Sequence, residues 1–314
     1  MITHPADSRE LQEALHLLFI QASPQERSAK TRALLDQFEA GQLASEGVFM
    51  FRESADSRLL GVLVANRWPD GNLLLWPAVT AVEPKDSEPI LRALYEAFDR
   101  WFAATWAKGA VMMVDQFQSA DPLFLHTFGF EYVSQLLYLI ASEPPFSPSP
   151  TARLVFRPMP PDDLPRMTAL VERTYRNTLD FPRLIGISST TEILDGYMKN
   201  NLFRPELWFY VHEQSVGECG DPVGVLLLSS IPEHGEMELT YMGLLEEVRG
   251  RGHAAEIVAF AQTVTRREGA SMLLTSVDQQ NAPALRGYLR AGFRVFDRKS
   301  LFFKPHPSMP APSR

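Results

Sequence analysis

The residues best suited to chemistry stand together in Val248-Arg-Gly-Arg-Gly-His-Ala-Ala255, between an apolar strand pattern and an amphipathic helix pattern. Gly250 and Gly252 let the backbone turn tightly and approach a ligand closely. A helix starting just after them presents unpaired N–H groups and the positive end of its dipole. Arg249 and Arg251 add cationic donors. Together these suit a phosphate or pyrophosphate; a basic turn facing solvent is the plainer alternative. The spacing is not that of a dinucleotide fingerprint, which needs three spaced glycines, nor of a phosphate loop ending in Gly-Lys-Ser/Thr. Further on, Asn281 opens a short helix after a strand pattern, Tyr288 lies about two turns later on the same side, and Gly292-Phe293 closes it. In the strand that leads into the glycine loop, Glu236 and Glu238 alternate onto one face. The only cysteine, Cys219, sits in a Gly-rich turn away from all of these, a poor position for a nucleophile.

Positioning these residues requires a mixed α/β frame. In the second half, helical spacing predicts helices over 164–175 and 254–268, and the capping-box pattern Ser189-Thr-Thr-Glu192 starts another through Met198. Apolar runs predict strands over 207–211, 223–231, 237–245, 272–277 and 293–303, with a short helix over 283–290. The first half predicts helices over 11–20, 29–39, 90–107 and 122–128, and strands over 48–52, 59–67, 72–79, 110–115 and 131–140. Between the halves, Glu143 to Ala152 reads EPPFSPSPTA, a proline-rich linker without donors for an element interior. The expected division is therefore 1–143, a linker over 144–152, and 153–314. The halves repeat one plan. Gly109 and Gly269 each begin a run of Gly-Ala, apolar strand, Asp-Gln, proline-started helix, Gly-Phe and long apolar strand, at an offset of about 160 residues. The expected fold class is α+β: two tandem domains, each a mixed, largely antiparallel sheet flanked by helices.

The ordered set Arg249-x-x-Gly252-x-Ala254, then Asn281, Tyr288 and Gly292-Phe293, resembles the GNAT superfamily of N-acyltransferases over about residues 153–304. The segment Glu238-Leu-Thr-Tyr-Met-Gly-Leu is also similar to the base-bearing strand of the mycothiol synthase family of tandem two-domain acetyltransferases. The resemblance implies an acetyl-CoA-dependent N-acetyltransferase acting directly on a primary amine of a small molecule or peptide. Backbone N–H groups of Gly250, Arg251, Gly252, His253, Ala254 and Ala255 would hold the pyrophosphate, and Met242, Gly243 and Leu244 would pair with the pantetheine amides. Asn281 would orient that arm or a water, and Tyr288 would protonate the departing thiolate. Attack by an amine needs a base, because an ammonium has no lone pair. Glu238, nearer the strand middle than Glu236, is the expected base, with His212 a weaker candidate. In the stretch from Tyr175 to Ile185, Asp180 could hold a cationic amine and Arg183 a carboxylate or phosphate. The first half departs from the motif, with Val82-Glu-Pro-Lys-Asp-Ser-Glu88 at the loop position and Leu125 at the tyrosine position. It is expected to be a degenerate copy. The alternative function is a non-catalytic acyl-CoA-binding sensor or scaffold, which would need neither Glu238 nor Tyr288.

Composition bounds the partners. The chain has 314 residues, 45% of them hydrophobic and 22% charged, as in an ordinary globular protein. Its formal charge of −8 gives no footprint for nucleic acid or for an anionic membrane surface. No run approaches a membrane span, no metal-ligand pattern stands out, and the first residues lack a signal-peptide profile, so a cytoplasmic location is expected. The lone cysteine fits a reducing compartment.

Overall fold

A computed structural model describes all residues except 42, 55–56, 116–120, 143–152, 200–202, 215–219, 232–233 and 309–314. The proline-rich segment and Cys219 thus lie outside the described residues. The contacts group the chain into two compact units, Met1–Tyr132 with Leu301–Arg314, and Val133–Ser300.

In the first unit β1 (Ile2–Thr3) precedes α1 (Ser8–Leu18) and α2 (Pro24–Glu39). The antiparallel strands β2 (Val48–Phe51), β3 (Gly61–Arg67) and β4 (Leu73–Thr80) follow. α3 (Pro84–Phe102) then crosses over to β5 (Gly109–Asp115), parallel to β4, and α4 (Pro122–Thr127) comes next. α2 starts one turn earlier than periodicity alone indicates. Ser23 and Glu26 form a reciprocal capping box ahead of Pro24, which is pre-set for a first helical turn. α3 likewise begins at Pro84.

The second unit begins with β6 (Glu131–Ser142), then β7 (Leu154–Pro158), α5 (Leu164–Thr174), α6 (Thr190–Lys199), β8 (Trp208–Glu213), β9 (Gly224–Ile231) and β10 (Glu236–Leu244). α7 (His253–Arg267) crosses to β11 (Met272–Asp278), which is parallel to β10; α8 (Ala282–Arg290) and β12 (Arg294–Pro305) end it. Each unit therefore has an antiparallel run, one helical crossover and a parallel strand, as the repeat predicts. One face of this unit's strands packs on α7 and α8 through Leu139, Leu228, Met237, Ile257, Leu273 and Tyr288. The other packs on α5 and α6 through Met167, Val171, Leu194, Trp208 and Leu227.

The units do not follow the halves on either side of the proline-rich stretch. β6, which follows α4 in the first half, pairs antiparallel with β11 from Met272↔Ser142 to Asp278↔Leu136. The end of β12 serves the first unit. Gly109 lies so close to it that an added Cβ would stand 2.3 Å from the Phe303 ring. Lys304, 9% exposed, bonds Asp99 and the Phe128 carbonyl, and His306 bonds the Phe102 carbonyl. Such strand exchange is invisible to periodicity, because a strand's pattern tells which face is buried but not which edge it joins. Replacing Lys304 with Ala leaves Asp99 and a carbonyl without their cation. The expected cost is ~2–3 kcal/mol, below that of a fully buried pair because Asp99 is 34% exposed. Urea denaturation of Lys304→Ala against wild type measures it; an unchanged midpoint would show that the segment's docking does not depend on this pair.

Candidate active site

The site grows from a mismatch in strand pairing. β10 pairs with β9 along its whole length, but with β11 only from Glu236↔Met272 to Leu239↔Thr275. Beyond that pair, β10 continues to Leu244 and β11 to Asp278 with no register between them. Met242, Gly243 and Leu244 lie on this part of β10, bound to β9 on one edge only. A bulge between Leu239 and Tyr241 adds a residue to β10. Met237 and Leu239 therefore face α7 and α8, whereas Tyr241 packs toward α5, its hydroxyl 2.7 Å from that of Thr174. Alternation from Leu239 places Glu238 on the α5 side as well.

Two ionisable groups flank the last paired residues from opposite faces. Thr275 donates from its hydroxyl to the Leu239 carbonyl at 3.0 Å. Tyr288, from α8, is 4% exposed; burial pushes its phenol pKa up, and its hydrogen bond with Thr275 opposes the shift. On the other face Glu238 is half-buried, and desolvation raises its carboxyl pKa. Among the described residues no hydrogen bond or ion pair engages that carboxylate.

The glycine loop leads into α7 with both glycines left-handed, Gly250 at φ 77° and Gly252 at φ 84°. Gly252 is the N-cap residue, and no side chain caps the helix, so the N–H groups of His253 and Ala254 remain for a ligand, whereas that of Ala255, against expectation, already bonds the Gly252 carbonyl at 3.2 Å. Arg251 reaches the Glu247 carbonyl at 2.7 Å and lies 3.5 Å from the Glu213 carboxylate. His253, 4% exposed, bonds Glu213 through Nε2 at 2.8 Å, while its Nδ1 is buried without a partner. Arg249 differs from expectation. Its guanidinium donates to the carbonyls of Leu244, Asn177 and Thr174, so it ties the loop to β10 and the end of α5 rather than offering a cation to an anion. Arg153, which motif reading passed over, straps the loop: its Nε and backbone N–H bind Glu256, and Nη1 donates to the Arg251 carbonyl.

Asn281 caps α8, accepting from the Ala284 N–H at 3.3 Å, and its side chain also bonds Asp180. The Asp180 carboxylate accepts the Asp278 N–H at 3.0 Å, and Asp278 in return accepts the Phe181 N–H at 3.1 Å and the Ser134 hydroxyl. Desolvation, with Asp278 adding repulsion, raises the Asp180 pKa. This exchange fastens the segment after α5 to the end of β11, with Asn177 at φ 48° and Phe181 at φ 44°, strained values for residues other than glycine. Arg183 is exposed on the turn Pro182–Leu184, and His212, 5% exposed, bonds the Gly220 carbonyl. Asp278 belongs to the Asp-Gln pair that recurs in both halves, the one sequence signal that pointed to it.

In the first unit the corresponding parallel pair, β4 and β5, also stops early, at Leu75↔Met112. Here the opening is filled. The Tyr95 hydroxyl accepts the Ala78 N–H at 3.4 Å, and its ring packs with Phe124, Phe128 and Phe130.

An α+β domain with an opened parallel strand pair beside a glycine-led helix N-terminus is the frame of an acyltransferase. Residues 153–294 match the acetyltransferase (GNAT) domain family, and this part of the chain is a GNAT acyltransferase domain. No curated protein matches the chain. Among solved structures, a GCN5-related N-acetyltransferase from Sphaerobacter thermophilus superposes with a TM-score of 0.69 at 19% identity, covering 98% of this chain and 96% of that one. The glucosamine N-acetyltransferase region of a fungal multi-domain GH3 β-N-acetylglucosaminidase gives 0.66 at 14% identity, covering 96% of this chain and 38% of that one. A tandem GNAT protein from the clavulanic acid biosynthesis pathway gives 0.53 at 13% identity, covering 99% of each chain. These likenesses are of fold. Among the described residues no group of three metal-ligating side chains occurs, and no helix is long and apolar enough to cross a membrane.

Proposed function

We propose that the second unit transfers the acetyl group of acetyl-CoA directly to a primary amine of a small molecule or peptide. The observation that carries this reading is the opening between β10 and β11, flanked by Tyr288 on one face and Glu238 on the other. The residues fit the co-substrate. Uncapped N–H groups at the start of α7 suit its pyrophosphate, with Arg251 and the orphaned His253 Nδ1 beside them. The edge of Met242–Leu244 that β11 leaves unpaired suits the amides of its arm, with Arg249 already on the Leu244 carbonyl. When bound, acetyl-CoA supplies an activated acyl thioester. Glu238 then takes a proton from the acceptor ammonium; its raised pKa makes the carboxylate a stronger base than an exposed one. Tyr288, kept neutral by burial, donates its hydrogen bond and then its proton toward the departing sulfur. Asp180, lodged by Tyr175, Tyr241 and Tyr288, adds negative charge that favours a cationic acceptor; Arg183 would meet an acidic group on it.

A non-catalytic acyl-CoA binder is the second reading. Against it stands Glu238, because burying an unpaired carboxylate costs stability and gains a binder nothing. The first unit is proposed to be a non-catalytic copy, since Tyr95 fills its opening, Leu125 stands where Tyr288 would, and α3 begins with a proline that lacks a donor. A cytoplasmic location is part of the same proposal.

Thiol release from acetyl-CoA in the presence of an amine panel tests the activity. Gly252→Val tests the location. Valine is strained at φ 84°, and its Cβ would stand 3.2 Å from Arg153 Nη2. Losing one or two N–H bonds to a charged group lowers acetyl-CoA affinity ~10–100-fold. Calorimetry reads it, and wild-type affinity in a folded variant would move the pyrophosphate elsewhere.

A further inference from the structure

The sheet face opposite α7 and α8 holds a strip that the acetyl-transfer reading uses only at Glu238. Register sets Glu238 beside Leu274, and Leu274 beside Ile140, across β10, β11 and β6. One step along, Ser276 lies beside Tyr138, whose ring meets the half-exposed Phe296 at 6.3 Å. Their sequence neighbours Leu137, Leu139 and Leu273 are buried against the helices, whereas Leu274, Ile140 and Tyr138 are only partly buried and belong to none of the buried clusters. The strip is polarised. Glu236 and Glu238 occupy its β10 end, and Lys299 Nζ stands 5.4 Å from the Tyr138 ring centre at the other. Two strand spacings separate Glu238 from Ile140, about 10 Å.

We propose that this strip is the floor for the body of the acceptor, and that the acceptor is a primary amine bearing an apolar alkyl or aryl group about 10 Å long. Charge fixes the direction: the ammonium lies at Glu238 and the apolar body runs over Leu274 and Ile140 toward Tyr138. The inference rests on the acetyl-transfer reading for the identity of the bound molecule, and on the strip alone for its shape.

The test measures binding of ethylamine, butylamine and hexylamine to the full chain saturated with CoA, by calorimetry, alongside thiol release with acetyl-CoA. Affinity is expected to rise ~2–4-fold per methylene, the range for partial to full burial of a CH2 group, and kcat/KM to rise in parallel. Hexanoate is expected to bind more weakly than hexylamine. Ile140→Ser should flatten the length dependence; Leu274→Ser provides a second variant should the first not fold. Equal affinity for ethylamine and hexylamine in wild type overturns the floor, whatever the turnover. Tighter binding of hexanoate overturns the charge direction. Concentration-dependent dimerisation that hexylamine competes against would place a second copy on the strip and also overturn the proposal. A length-dependent affinity without thiol release from any amine supports the floor while removing the acetyl-transfer reading.

Discussion

Tyr288→Phe is expected to lower kcat by ~10²–10⁴-fold, the usual contribution of a general acid or base, with acetyl-CoA affinity nearly unchanged. The substitution removes one oxygen from a side chain that is otherwise part of the buried cluster, 5.3 Å from the Phe293 ring. Phenylalanine keeps that packing and loses the hydrogen bond with Thr275, worth about 1 kcal/mol. Melting temperature should therefore fall only slightly, so lost activity cannot be assigned to lost fold. The phenol's pKa is raised, so the wild-type group keeps its proton through the neutral range and the defect should be present at every pH below it. Steady-state rates from mild acid to mild alkali check this. A variant as fast as wild type across that range takes Tyr288 out of the mechanism.

Glu238→Gln is expected to lower kcat/KM by a similar ~10²–10⁴-fold below the pKa of the acceptor amine, where a base must remove the proton. At higher pH the free amine is already present, and activity should partly recover. A uniform loss at all pH values would instead assign Glu238 to binding the ammonium by charge. The sign of the stability effect is a useful control. Desolvation raises the carboxyl pKa in the folded state, so folding gains stability as pH falls through that pKa and loses it as pH rises. At neutral pH the wild type carries an unpaired, partly desolvated carboxylate, which glutamine replaces with a neutral group. Melting at neutral pH should thus be equal or slightly higher in the variant. A lower melting temperature would mean that the charge has a stabilising partner.

Apart from β7 (Leu154–Pro158), which no pattern marked, sequence alone determined the elements of the second unit, because buried faces and caps are local properties. The capping box of Ser189 and Glu192 forms as its spacing predicts, and Gly250 and Gly252 take the left-handed conformations that a glycine loop before a helix suggests. The plan shared by the two halves was also legible, since Gly-Ala, Asp-Gln and Gly-Phe mark equivalent turns. Tertiary structure decided what depends on edges and on exact register. Strict alternation would set Tyr241 on the face of Met237 and Leu239; the bulge turns it to the α5 side instead. Arg249 has the charge for an anion site, yet three carbonyls brought together only by the fold consume its donors. Tyr95 is an ordinary helix residue in sequence, and its hydroxyl fills the first unit's strand opening only because α3 packs across β2, β3 and β4 and brings that hydroxyl to Ala78 on β4 and Met112 on β5. The exchange of β6 and the end of β12 between units belongs to the same class. A strand's residues specify its faces through side chains, whereas its edges are identical backbone, so only the assembled sheet settles which neighbour each edge accepts.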